Sequence, residues 1–203
     1  MLQNLNNKQL EAVKSTEGPL LVLAGAGSGK TRVLTTRIAY LIKEKNIDPY
    51  NILAITFTNK AAKEMKERVI NLIGNVGYEM QISTFHSFGL SIIKDNYKLL
   101  GYNPNFTILD SDDTLTLIKK ILKDSNIDPK MYNPKAIRNS ISSAKSEMIN
   151  SDKYSRYVGS DFEEKVLTVY KQYEDRLKSN NALDFDDLLI KPIELFKNNN
   201  DVL

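Results

Sequence analysis

Polar and apolar positions alternate in blocks along the first hundred residues, and each block carries its own period. Residues 5–13 read as a short helix, with Asn6 placed as N-cap and Gln9 three positions later in the arrangement of a capping box. Residues 19–24 form an unbroken apolar run, which predicts a strand buried on both faces of a parallel sheet. After a glycine-rich turn, Val33, Leu34, Ile38 and Leu41 predict a helix over residues 30–44. A second apolar strand is expected over 52–57, a helix over 59–72, a short third strand over 81–83 and a helix over 84–100. This alternation predicts an α/β fold built on a doubly wound parallel sheet.

The rhythm breaks at residues 101–105, which contain Gly101 and Pro104. Helical spacing dominates beyond it, over 112–123, 134–147, 161–178 and 185–196. The first three of these read as a separate all-helical unit inserted into the α/β domain. The expected division is therefore residues 1–105, an insert over 106–183, and a return helix over 184–203.

Composition narrows the chemistry. The 203 residues include no cysteine and one histidine, which leaves no thiolate metal site and excludes most histidine-based metal clusters. No apolar stretch approaches the length needed to span a bilayer, and the N-terminus lacks the apolar segment of a signal peptide. The expectation is a cytoplasmic protein with no membrane partner. The net charge of +3 is unevenly spread. Lys and Arg number 13 against 8 acidic residues over 1–105, 13 against 12 over 106–183, and 2 against 5 over 184–203. The positive excess lies in the half that holds the glycine-rich turn. It permits a polyanionic partner without demanding one.

That turn is Ala24-Gly25-Ala26-Gly27-Ser28-Gly29-Lys30-Thr31, set between an apolar run and an amphipathic helix. Small residues let several backbone N–H groups converge on a phosphate, and the helix that follows adds its positive dipole end. Lys30 reaches β- and γ-phosphates, and the Thr31 hydroxyl holds the Mg²⁺ that accompanies the nucleotide. Lys30 and Thr31 are thus the candidate catalytic pair of this Walker-type loop. Ala24 stands where the usual pattern has its first glycine, while the Gly-Lys-Thr end is intact.

Kinases, GTPases, transporters and motors all use such a loop, so its neighbours must choose among them. Leu5-Asn6-Asn7-Lys8-Gln9 precedes it and Arg32 follows it. Ile55-Thr56-Phe57-Thr58-Asn59-Lys60 closes the second strand, Ser83-Thr84-Phe85-His86-Ser87 opens the helix after the third, and Leu183-Asp184-Phe185-Asp186-Asp187-Leu188 comes near the end. In this order and spacing the segments resemble the N-terminal motifs of superfamily 1 DNA helicases of the PcrA, UvrD and Rep type. The resemblance covers the whole chain and is strongest over residues 1–105 and 182–190. It implies an incomplete RecA-like sheet with an inserted helical subdomain, ATP with Mg²⁺ as the nucleotide, and a motor that translocates 3′-to-5′ on single-stranded DNA or at DNA junctions. Repair and replication are both open to such a motor.

By the same resemblance Gln9 reads the adenine edge and Arg32 lies beside the base. Taken alone, Gln9 is a capping-box partner of Asn6, and the two roles are compatible. Phe57 reads either as core or as an aromatic that stacks on a DNA base, with Thr58 and Asn59 lining the strand path. Thr84 and His86 read as DNA contacts or relays, against the ordinary alternative of a structural histidine. Lys60, Lys63, Lys66 and Arg68 read as a solvated helix face. Asp184, Asp186 and Asp187 read as helix-capping residues rather than metal ligands.

Hydrolysis by such motors also needs a second metal-binding acid and a residue that orients water. The resemblance puts these in an Asp-Glu-x-Gln motif on a later strand, and no such motif occurs in this chain. The expectation is the N-terminal portion of a motor, with little hydrolysis by itself. The remaining helicase domains are its implied partners, along with association through exposed sheet edges. The rival expectations are a free-standing nucleotide- or DNA-binding module and a small-molecule P-loop kinase.

Overall fold

The computed structural model describes residues 1–202. The chain separates into two compact units, residues 1–85 and the part from residue 86 onward.

The first unit begins with α1 (Asn7–Lys14), whose capping box is complete. The Asn6 side chain accepts from the Gln9 backbone N–H at 2.9 Å, and the Gln9 Oε1 accepts from the Asn6 N–H at 3.0 Å. α1 packs on α2 (Lys30–Lys43) through Ala12, Val13 and Val33, with Leu2, Leu5 and Tyr40 at the margin. The Arg37 guanidinium donates to the Ala12 carbonyl at 2.6 Å and ties the two helices further. β1 (Leu53–Thr56), α3 (Asn59–Ile73) and β2 (Gln81–Thr84) form a crossover unit in which the two strands pair in parallel, Ala54 opposite Ile82. Its core joins Ile38 of α2 to Ala54, Met65, Val69, Met80 and Ile82.

The apolar run over residues 19–24 corrects the sequence expectation. It forms no strand, and Leu21 and Leu23 are 82% and 86% exposed. A strand exists only where a neighbouring backbone takes its hydrogen bonds, and a parallel strand buried on both faces needs neighbours and flanking helices together. Among the described residues, β1 and β2 pair only with each other. The expected three-strand sheet is therefore a parallel pair.

α4 (Phe85–Asn96) starts at the last residue of the first unit. The second unit continues with β3 (Thr107–Leu109), α5 (Ser111–Asp124), α6 (Pro134–Ser146), α7 (Ser151–Tyr154), α8 (Asp161–Ser179), β4 (Ala182–Asp184) and α9 (Asp187–Asn198). Side-chain caps start the longer helices: Asp110 accepts from the N–H groups of Asp112 and Asp113, and Ser160 from that of Glu163. The apolar faces of α5, α6 and α8 close a core of Ile118, Ile121, Leu122, Ile137, Val166 and Val169, all fully buried. β3 and β4 pair in parallel, Thr107 opposite Ala182 and Leu109 opposite Asp184. The chain thus leaves for the helical hairpins and returns beside its point of departure. α4 and α9 meet at Gly89, where a Cβ would lie 1.9 Å from the Leu188 carbonyl oxygen, so only glycine fits.

Candidate functional site

The glycine-rich loop stands between the exposed apolar run and α2, and its shape follows from two glycines. Gly27 and Gly29 have φ of 74° and 86°, a region that side chains with a Cβ rarely enter. The turn wraps around the Lys30 ammonium, whose Nζ donates to the carbonyls of Ala24 at 2.9 Å and Gly25 at 2.7 Å. An ammonium has three donors, so one remains for an incoming phosphate. The Ser28 hydroxyl braces the turn by donating to the Gly25 carbonyl at 2.7 Å. Thr31 and Arg32 are exposed on the first turn of α2, and the small side chain of Ala26 leaves the loop rim open. A cationic loop at the positive end of a 14-residue helix fits a polyphosphate. The Thr31 hydroxyl is exposed beside it, an oxygen of the kind that a hard cation accepts.

Gln9 belongs to this loop. Besides its capping-box bonds, its Nε2 donates to the Ser28 carbonyl at 3.0 Å. The structure thus joins the Gln9 side chain to the glycine-rich loop, nineteen residues further on.

A second cluster forms at the carboxyl ends of β1 and β2. Phe57 is 91% exposed, which rules out the core alternative, and its ring lies 6.3 Å from that of Phe85, tilted by 59°. Thr58 caps α3 by accepting from the Ala61 N–H at 3.1 Å, while Asn59 is exposed on the first turn. Thr84 is buried, its hydroxyl 3.5 Å from the Asn59 Oδ1. Of these candidates Phe57, Thr58 and Asn59 are exposed to solvent and Thr84 is buried. Phe85, exposed beside Phe57, is an aromatic that periodicity alone left unmarked. Along α3, Arg68 pairs with Glu64 and Lys66 reaches the Tyr78 carbonyl, as a solvated face would.

In the second unit His86 is exposed and meets the ring of Phe185 edge-on, 5.9 Å between centroids. Phe185 is half exposed. It lines a cleft of about 180 Å³ with Arg138, Asn139, Ser142 and Asp186.

Behind Phe185 lies a feature the sequence did not signal. Lys145, only 5% exposed, donates to Asp184 Oδ2 at 2.7 Å and to Asp187 Oδ1 at 2.9 Å, and the Tyr173 hydroxyl donates to Asp184 at 2.8 Å. Asp184 and Asp187 also accept from each other's backbone N–H groups, at 2.9 and 3.1 Å. Asp184 thus takes the N–H of the first residue of α9, Asp187 takes an N–H ahead of the helix, and the larger role of both is to hold a buried ammonium. Burial pulls Lys145 down, but the two carboxylates outweigh it and hold it above the ordinary lysine range. Burial pushes Asp184 up, and Lys145 with the surrounding donors brings it below the ordinary carboxylate range. Asp186 makes no capping bond. No group of three or more acidic or histidine side chains able to hold a metal occurs among the described residues. Nor is any helix there long and apolar enough to cross a membrane.

Comparison with known proteins agrees with this geometry. The family profile of the UvrD/REP helicase N-terminal domain matches residues 5–203. The chain is 52% identical over 196 residues to the ATP-dependent DNA helicase PcrA of Bacillus subtilis, covering 97% of this chain and 26% of that protein. It is 48% identical over 203 residues to PcrA of Staphylococcus aureus and 46% identical over 204 residues to PcrA of Leuconostoc citreum. Each of these matches covers all of this chain and 28% or 27% of the relative. The chain therefore spans about a quarter of the length of the relatives it matches.

Proposed function

Because the chain belongs to the UvrD/REP helicase N-terminal domain family, we propose that it is the ATP-binding part of an ATP-dependent DNA helicase. The observation that carries this reading is the phosphate loop wrapped around Lys30 with Gln9 bonded to its rim. In this reading the loop N–H groups and Lys30 hold the β- and γ-phosphates, and the Thr31 hydroxyl holds Mg²⁺. Gln9 meets the adenine edge and Arg32 flanks the base. The phosphates lie at the N-terminus of α2, where the dipole favours them.

Single-stranded DNA runs past the exposed Phe57, which stacks on a base irrespective of sequence. Thr58 and Asn59 face the strand, and the buried Thr84 acts through Asn59. His86 and Phe185 give the second unit an aromatic edge of its own for the same ligand. Movement 3′-to-5′, action at DNA junctions and a cytoplasmic setting follow the motif resemblance. The paired β3 and β4 support reading residues 106–183 as a helical insert in a RecA-like core of residues 1–105 and 184–203. The exposed Leu20–Val22 stretch supports a further role in association, with other helicase domains or through a sheet edge.

DNA-stimulated ATP hydrolysis by the complete natural chain tests the reading. Lys30→Ala is expected to bring it to background, and stimulation surviving that substitution would remove Lys30 from the site. Residues 1–203 alone are expected to hydrolyse ATP no faster than their own Lys30→Ala variant, and a faster rate would overturn their proposed inactivity.

A further inference from the structure

The bond from Gln9 to Ser28 does more than place a base-reading side chain near a phosphate loop. A peptide unit is planar and trans, so its C=O and N–H point in opposite directions. Gln9 draws the Ser28 carbonyl toward α1 at 3.0 Å, and the N–H of Gly29 in the same peptide is thereby aimed the other way. That N–H belongs to the first residue of the α2 cap, the position at which a helix offers its donors to an anion.

Gly29 cannot hold this peptide by itself. It has φ of 86°, no side chain and no side-chain cap, so rotation of the peptide meets little resistance from its own residue. A Cβ at Gly29 would stand 3.1 Å from the Gln9 Nε2, so the glycine also makes room for the amide that fixes it. Gln9 is itself held at its other end, because its Oε1 accepts from the Asn6 N–H at 3.0 Å. The rigid capping box of α1 thus reaches through one amide to one peptide of the loop.

We propose that Gln9 is a positioning residue for the phosphates, orienting the Ser28–Gly29 peptide so that the Gly29 N–H faces the anion. This rests on the reading of the loop as a polyphosphate site. A side-chain amide offers two N–H donors and two acceptor positions. One donor is spent on Ser28 and one acceptor position on Asn6, which leaves one of each for the edge of a base. The same planar group then senses the base and sets the loop, so base occupancy and phosphate affinity are coupled through it.

The test uses a ligand with no base. Inorganic tripolyphosphate with Mg²⁺ is titrated against a fluorescent nucleotide bound to the complete natural chain. Gln9→Ala and Gln9→Met, the latter keeping the length without charge but losing the donor, are expected to weaken tripolyphosphate about three- to tenfold, the worth of one hydrogen bond. Asn6→Ala, which removes the helix cap but keeps the Gln9 amide, is expected to leave it within about twofold. If both Gln9 variants bind tripolyphosphate as the natural protein does while losing ATP, Gln9 reads the base alone and the proposal is overturned. An equal loss in Asn6→Ala also overturns it, because the effect would then be that of an unfolded α1. Failure of the natural protein to bind either tripolyphosphate or ATP refutes the phosphate-site reading on which the proposal stands.

Discussion

The two units manage their polar groups in opposite ways. In residues 1–85 the polar atoms that matter sit at the surface, and those of the phosphate loop are satisfied by one another: Lys30 on Ala24 and Gly25, Ser28 on Gly25, Gln9 on Ser28. From residue 86 onward the corresponding network is buried, with Lys145, Asp184, Asp187 and Tyr173 closed within a core that includes fully buried isoleucines, valines and leucines. Exposed hydrogen bonds exchange readily with water or a ligand, whereas a buried charge that loses its partner keeps its desolvation cost. The first arrangement suits a loop that exchanges its internal bonds for those of a ligand, as the proposed phosphate site requires. The second suits a scaffold that must not move. The first unit also exposes Leu21, Leu23 and Phe57 almost fully.

The largest effect that would break this contrast lies at Lys145. Lys145→Ala is expected to cost about 3–5 kcal/mol, because it strands two buried carboxylates. Urea denaturation followed by hydrogen exchange in α6, α8 and α9 measures it, and a loss under about 1 kcal/mol would show the network to be wet. The acid limb carries the same information. Asp184 has its folded value lowered, so its contribution is full above the unfolded value near 3.9 and is lost as pH falls through the folded one. In Lys145→Met burial alone governs Asp184 and lifts its folded value above the unfolded one, so the deficit of the variant is expected to be largest near neutral pH and to shrink as the pH falls.

Next comes Phe57. Phe57→Ala is expected to weaken single-stranded DNA binding by about 1–3 kcal/mol, the worth of one stacked base, while stability stays within about 0.5 kcal/mol. Unchanged DNA affinity in an equilibrium titration would return the ring to an incidental surface aromatic. The smallest effect sharpens the comparison instead. Leu21→Ser and Leu23→Ser are expected to change the stability of residues 1–203 by no more than about 0.5 kcal/mol, as at other exposed positions. A loss of about 2 kcal/mol or more would mean that the run is covered in solution.

Much of the fold was legible because it is set locally. Asn6 with Gln9, Thr58 before α3, Asp110 before α5 and Ser160 before α8 each cap a helix within three residues of themselves, and the helices begin where those residues stand. The glycine-rich loop was legible for the same reason, since Gly27 and Gly29 permit the positive-φ turn that residues with a Cβ resist. Lys145 was not. On the last turn of an amphipathic helix it reads as a solvated cation favoured by the dipole. Only the return of the chain at β4, thirty-nine and forty-two residues later, brings Asp184 and Asp187 against it.

The sequence by itself determined the longer helices, the Asn6–Gln9 capping box, the glycine-rich loop and the order of motifs, because each depends on groups a few residues apart along the chain. The tertiary structure decided whether residues 19–24 form a strand, whether Phe57 is core or surface, and which lysine is buried. It also joined Gln9 to Ser28 across nineteen residues. A strand's hydrogen bonds and a charge's desolvation are settled by neighbours from distant parts of the chain, and periodicity holds no record of who those neighbours are.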